Sequence, residues 1–148
     1  MSGDDVPEGY TPLLPGGPWL ALAGPLYQRP APDGGVVIAL RIGTQHTNMR
    51  GIAHGGMLVT LADSALGRSV YLARKPTEPM VSVNLSTDFL GAVKVGDWLE
   101  AHVEVRKQGA RLSFAECQLR VGDRVVLRCS GVFAVVGPAV VTKEVPEG

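Results

Sequence analysis

Cysteine occurs only twice in the 148 residues, at Cys117 and Cys129. Both sit in apolar, strand-like runs without Cys-x-x-Cys spacing, which argues against a disulfide framework or a zinc site and for two reduced thiols. Neither charge is in excess. The 14 basic and 14 acidic residues cancel, so nothing points to nucleic acid or an anionic membrane as a partner. No apolar run reaches membrane-spanning length. The Met-Ser-Gly-Asp-Asp start lacks the basic and apolar regions of a secretory signal, so the expected location is cytoplasmic. The Gly-x-Ser-x-Gly elbow of a serine hydrolase is also missing. His46 and His54 have no second carboxylate or cysteine cluster beside them, so no metal is expected.

What is present is a hydrophobic content of 45%, enough for one domain with a real core and too little chain for two. Residues 1–25 read as an N-terminal arm, because Pro12, Pro15 and Pro18 interrupt any regular element that starts there. Trp19 to Ala23 is a short apolar patch able to pack one turn onto the domain. Strands are expected at Leu26 to Arg29 and at Val36 to Ile42, where β-branched residues dominate. After a polar loop the period changes. From Met57 the apolar positions Leu58, Leu61, Ala62, Ala65 and Leu66 recur at helical spacing, and one long helix runs to about Arg74, where Lys75-Pro76 stops it.

Four strand-like runs follow, Met80 to Phe89, Trp98 to Lys107, Arg111 to Val121 and Arg124 to Val136. Gln108-Gly109 and Gly122-Asp123 are short enough to join antiparallel neighbours as hairpins. The plan is α+β, an antiparallel sheet wrapped around one long central helix over residues 26–137, with a frayed tail at 138–148.

The stretch from Asn48 to Asp63 carries the chemistry. It places one carboxylate, Asp63, on a helix face that otherwise belongs in a core. Each residue has a plain explanation: Gly55 and Gly56 as a tight helix entry, His54 as a capping or core histidine, Asn48 as a turn residue, Asp63 as the partner of Arg68 or another arginine. Taken together they suggest more. The first turn of a helix leaves N–H groups unpaired at the positive end of the dipole, so Gly55 and Gly56 offer donors to an anion or a developing oxyanion. Asp63 lies two turns further on, about 12 Å along the axis at roughly 1.5 Å per residue. A carboxylate that far away cannot act on a carbonyl whose oxygen is held at the same helix's start. If both groups serve one site, two helices must run antiparallel in a two-fold dimer, which then has two sites.

The run Asn48-x-x-Gly51-x-x-His54-Gly55-Gly56, followed by Leu61-Ala62-Asp63, closely resembles the PaaI-like acyl-CoA thioesterases of the hotdog-fold superfamily. Val81-Ser82-Val83-Asn84, Asp88-Phe89-Leu90, Gly96-Asp97 and Val105 to Gly109 extend the resemblance, which covers roughly Val36 to Val136. It implies a hotdog fold, hydrolysis of an aryl- or short- to medium-chain acyl-CoA, and a homodimer or a tetramer of dimers. No cofactor is implied beyond the coenzyme A of the substrate. Carried over, it makes Asp63 the nucleophile or general base and gives Gly55 the N–H that binds the thioester oxygen. Asn48 would position water or substrate, Ser82 would be a strand hydroxyl beside the acid, with Ser86 or Thr87 as alternatives, and His54 would orient the loop. Gly56 and Met57 are expected to line the substrate site, with Met49, Leu66, Tyr71 and Phe89 as further candidates for the acyl pocket. Arg106, Lys107 and Arg111 at one turn, or Arg74 and Lys75 at the helix end, are candidates for the coenzyme A phosphates. Basic residues at such places also offset a helix dipole or simply face water.

Two other readings stand beside this one. A hotdog dehydratase needs a catalytic histidine set with an acid and a proline-containing motif that the chain lacks. A non-catalytic acyl-CoA binding protein would keep the groove and lose the acid, so retention of Asp63 with Asn48 and Gly55 argues for catalysis.

Overall fold

The computed structural model describes residues 5–137. Its elements in order are strand β1 (Thr11–Leu13), helix α1 (Pro18–Ala23), strands β2 (Leu26–Pro30) and β3 (Val36–Arg41), helix α2 (Gly55–Ala73), and strands β4 (Met80–Phe89), β5 (Trp98–Gln108), β6 (Leu112–Val121) and β7 (Arg124–Val135). A single 3₁₀ turn at Thr44–His46 precedes α2. The expected frayed tail at 138–148 lies outside the described residues.

All seven strands form one antiparallel sheet in the order β1-β2-β3-β5-β6-β7-β4, and α2 packs against its inner face. This is the expected α+β hotdog plan. The two hairpins fall where the turn residues place them. The first of the four late strands does not join them in chain order. β4 crosses to the far edge and pairs with β7, because a strand leaving the end of α2 reaches that edge directly while β3 already occupies the side of β5.

α2 buries Leu58, Leu61, Ala62, Ala65, Leu66, Ser69 and Val70 against inward residues such as Leu40, Leu99, Leu119 and Leu127. Each buried Leu or Val contributes roughly 1.5–3 kcal/mol, against propensity differences of about 1 kcal/mol or less for an ordinary helix position. Packing therefore holds α2 despite its glycines. Cys117 and Cys129 face each other across β6 and β7 as buried free thiols, and burial pushes the Cys117 thiol up to about 12.

The proline-rich arm is more regular than its composition suggests. β1 pairs with β2, setting Pro12 opposite Tyr27. The strand lies at the sheet edge, where a missing N–H costs no ladder bond. Pro18 opens α1 at a position that needs no donor. The arm is also latched to the outer face of the sheet. Tyr10 packs edge-on against Trp98 with ring centroids 5.0 Å apart, donates its hydroxyl to Glu100 Oε2 at 2.5 Å, and accepts from Arg29 Nε at 3.2 Å. Burial, then the bond to Glu100, pushes the Tyr10 phenol up to about 12. Burial opposes the charge on Glu100, yet the bonds from Tyr10 and His102 outweigh it and hold its carboxyl below the ordinary value.

At the other end of α2, Arg74 is 9% exposed and rivets the helix to the β5–β6 hairpin. Its guanidinium donates to Glu78 at 2.8 Å, Gln108 at 3.2 Å, the Gly109 carbonyl at 3.0 Å and the Ala110 carbonyl at 2.5 Å.

Two predictions follow from these contacts. Arg74→Ala strands the hairpin carbonyls and should cost about 3 kcal/mol in urea unfolding, in line with the loss of charge-assisted bonds at a buried site; a loss under about 1 kcal/mol would show that the rivet is ornamental. A phenol whose folded pKa exceeds its unfolded value adds stability that is whole below about pH 10 and fades as pH climbs towards about 12. The stability advantage of the native chain over Tyr10→Phe should shrink across that window, and a constant difference would count against the latch.

Candidate active site

The approach to α2 is a set of turns that the motif residues themselves close. Asn48 Oδ1 accepts the N–H of Arg50 at 2.8 Å and that of Ile52 at 3.4 Å, and Gly51 N–H donates to the Asn48 carbonyl at 2.9 Å. Gly51 takes a positive φ of 78°, a conformation natural only for glycine. The spacing Asn-x-x-Gly is thus the spacing of a turn. The Asn48 side-chain amide nitrogen has no hydrogen-bond partner among the described residues.

His54 is the N-cap of α2. Its Nδ1 accepts the Gly56 N–H at 2.8 Å, and its own backbone N–H donates to the His46 carbonyl at 2.8 Å. This orients the loop, and it alters the expected donor set. Gly56 N–H is spent on the cap, while Gly55 N–H has no partner among the described residues. One donor of the pair is left free. Beside it, a methyl group on Gly55 would meet Phe89 Cε1 at 3.2 Å, so glycine is what admits the ring.

His46 explains why this entry is rigid. It is 4% exposed; Nδ1 accepts from Gly43 N–H at 2.9 Å and Nε2 donates to the Ala23 carbonyl at 2.6 Å. Sequence reasoning weighed it only as a metal ligand, and among the described residues no His, Cys, Asp or Glu group could hold a metal.

Asp63 is not on the core face of α2. It is partly exposed on the flank of the buried stripe, because the core positions drift around the helix past residue 62, and Arg68 is not its partner. Ser82 Oγ donates to Asp63 Oδ1 at 2.6 Å. A β-bulge makes that contact. The register shifts between Ser82 and Asn84, setting Ser82 opposite Phe133 and Leu85 opposite Gly131. Strict alternation would turn Ser82 away from the face shared by Leu85, Thr87 and Phe89; the extra residue, Val83, restores it. Of the other hydroxyls considered, Thr87 is turned to Cys129 Sγ at 3.4 Å and Ser86 lines a cleft beside Arg128 on the opposite face.

Gly55 and Asp63 therefore stand about 12 Å apart on one helix, alongside Phe89 and Ser82 of β4 respectively, and β4 is an edge strand of the sheet. Met57 is partly buried beside the cap. Leu66, expected in the acyl pocket, is fully buried in the core, while Met49 and Tyr71 are exposed.

The basic residues are not gathered at this site. Arg106 bridges Glu104 at 2.9 Å and Glu116 at 3.0 Å, and those carboxylates hold its guanidinium above its ordinary pKa. Lys107 and Arg111 are exposed on the hairpin that Arg74 ties to the far end of α2, and Arg74 itself is consumed by that hairpin.

The model of the thioesterase superfamily matches residues 50–128. The chain is 48% identical over 129 residues to PA0474 of Pseudomonas aeruginosa, a protein named provisionally as an esterase, across 87% of this chain and 96% of that one. It is 30% identical over 84 residues to acyl-coenzyme A thioesterase 13 of Mus musculus, across 57% and 59% of the two chains. Among solved structures it is similar to the E. coli PaaI protein of the phenylacetic acid degradation operon, at 25% identity and a TM-score of 0.65, with 70% of this chain and 74% of that one covered. With that family model spanning more than half of the chain and PA0474 matched almost end to end, the chain is a member of the thioesterase superfamily with the hotdog fold.

Proposed function

We propose that the chain hydrolyses acyl-CoA thioesters at a site shared by two copies, with Gly55 N–H of one protomer receiving the thioester oxygen and Asp63 of the other acting as nucleophile or general base. The observation that carries this reading is the Gly55 N–H, without a partner among the described residues, at the head of the same helix that bears Asp63. A developing oxyanion gains most from a fixed donor of this kind, and losing one such donor costs about 10²–10³ in turnover. Ser82 holds the Asp63 carboxylate in one rotamer, and the Asn48 amide supplies a donor for the attacking water or the substrate. The mouse relative named for acyl-coenzyme A supports coenzyme A as the thiol; on this reading no cofactor besides it takes part, and the expected setting is the cytoplasm. Exposed Lys107 and Arg111 are the candidates for its phosphates; Arg106, bridged between two glutamates, is the weaker one.

The edge of β4 supports the pairing. It is ten residues long, open on one side, and carries Val81 at 46% and Val83 at 54% exposure. Such an edge is a template for another strand. α2 runs antiparallel to β4, with Ser82 beside Asp63 and Phe89 beside Gly55. A two-fold axis crossing β4 between those points lays the Asp63 end of one protomer over the Gly55 end of its partner.

Three outcomes test this. Asp63→Asn should lower acyl-CoA turnover by about 10³ or more, as removal of a group that acts on the reacting atoms does, with free thiol release as the readout; turnover within tenfold of the native chain would sink the assignment. Ser82→Ala, which frees the carboxylate without removing it, should cost about tenfold in kcat, the order expected of a lost positioning bond. Mixing inactive Asp63→Asn with inactive Gly55→Val should restore about a quarter of native activity, since half the dimers are mixed and each holds one intact site. A site built within one chain would give no rescue.

A further inference from the structure

The arm places apolar surface beside the catalytic helix in a way the hydrolytic reading does not use. α1 carries Trp19 at 64% and Leu22 at 73% exposure. These two side chains wall a cleft of about 450 Å³ that reaches Met57, His54 and Gly56. That volume is within the range of roughly 300–1,000 Å³ typical of small-molecule sites, and its lining includes the two chain neighbours of Gly55.

The cleft is fixed in place. His46 Nε2 holds the last carbonyl of α1, at Ala23, with a 2.6 Å bond. Trp19 Nε1 donates to Thr60 Oγ1 at 3.2 Å, and Thr60 Oγ1 donates to the Gly56 carbonyl at 2.9 Å. The indole is thereby tied to the first turn of α2 itself. Both nitrogens of His46 are satisfied internally, so that ring offers the cleft an apolar face. An exposed indole has some 150–250 Å² of surface to bury, and nothing else among the described residues covers it.

We infer that α1 is the wall of the acyl subsite: the cleft between α1 and the first turn of α2 takes the apolar acyl group of the substrate, and Trp19 and Leu22 select acyl groups larger than acetyl. This rests on the reading of Gly55 as the thioester-oxygen donor. With the oxygen at Gly55 N–H, the Phe89 ring lies against the glycine and the cleft is lined by the residues on either side of it in the chain, His54 and Gly56. Coenzyme A is large, charged and must reach solvent, so the apolar limb of the thioester is the part that belongs against Trp19.

The test compares hexanoyl-CoA with acetyl-CoA. The native chain should favour hexanoyl-CoA in kcat/KM, and Trp19→Ala should reduce that preference about tenfold or more, the scale of a few methylenes losing their pocket. Trp19→Phe, which keeps the ring and drops the bond to Thr60, should retain most of the preference. Leu14→Ala, exposed on the arm outside the cleft, should leave it unchanged. A preference within twofold of native in Trp19→Ala overturns the inference. If that variant fails to fold by thermal melting, Leu22→Gln is read in its place with the same criterion. Calorimetric binding of S-hexyl-CoA against S-methyl-CoA separates this inference from catalysis. If the native chain cleaves none of the thioesters yet binds the hexyl thioether at least about tenfold more tightly in a Trp19-dependent way, the hydrolytic reading fails and the cleft stands. Equal binding of the two thioethers overturns the cleft.

Discussion

A rigid helix holds Gly55 and Asp63 two turns apart, and most of what this chain can do depends on that separation. Helical rise sets it at about 12 Å. No side-chain rearrangement shortens it, because α2 is packed along its buried stripe from Leu58 to Val70. Hydrogen-bond range for an oxyanion is about 3 Å, so an acid at one end and a donor at the other cannot meet on one carbonyl within a chain. The same packing that makes the helix stable makes the isolated protomer an incomplete enzyme on the proposed mechanism.

Two local devices turn the helix into usable half-sites. At its head, His54 spends its imidazole on Gly56 N–H, leaving Gly55 N–H as the free donor of the pair. The next position would otherwise compete for the same ligand atom. Along its flank, the bulge at Val83 brings Ser82 onto the inner face, where its hydroxyl reaches Asp63. Each device costs something. The cap uses an exposed histidine, and the bulge breaks the β4–β7 ladder. Neither has a role in holding the core, which is closed by the Leu and Val side chains beneath them.

The fold was legible wherever a period or a turn residue carries it. The 3.6-residue repeat located α2, the two glycine turns located their hairpins, and the motif from Asn48 to Gly56 located the cap and the turn. Ser82 was legible only through family resemblance, because a bulge shifts strand parity and leaves no mark in composition. The crossing of β4 to the far edge was not legible at all; sheet order depends on which edges are free after α2 packs. The contacts of Arg74 with the hairpin carbonyls were not legible either, for a physical reason. A cation at a helix end looks the same in sequence whether it meets solvent, a phosphate or backbone carbonyls. The arm was underestimated similarly, since proline counts against a strand or helix only in their interiors, and Pro12 and Pro18 sit at an edge and a first turn.

β1 and the open edge of β4 occupy opposite ends of the sheet, and that separation matters. The sheet order leaves β1 and β4 as its two edges. β1 is three residues long and contains Pro12, features that blunt an edge against further pairing. β4 is ten residues long, with valines exposed, and has neither defence. A chain that protects one edge and leaves the other open directs association to a single side, the side on which both Gly55 and Asp63 lie. Growth by repeated strand addition is then disfavoured, since the blunted edge cannot continue it. A closed two-fold pair satisfies the one remaining edge and completes both half-sites in the same step, so on the proposed arrangement strand pairing and catalytic competence are a single equilibrium.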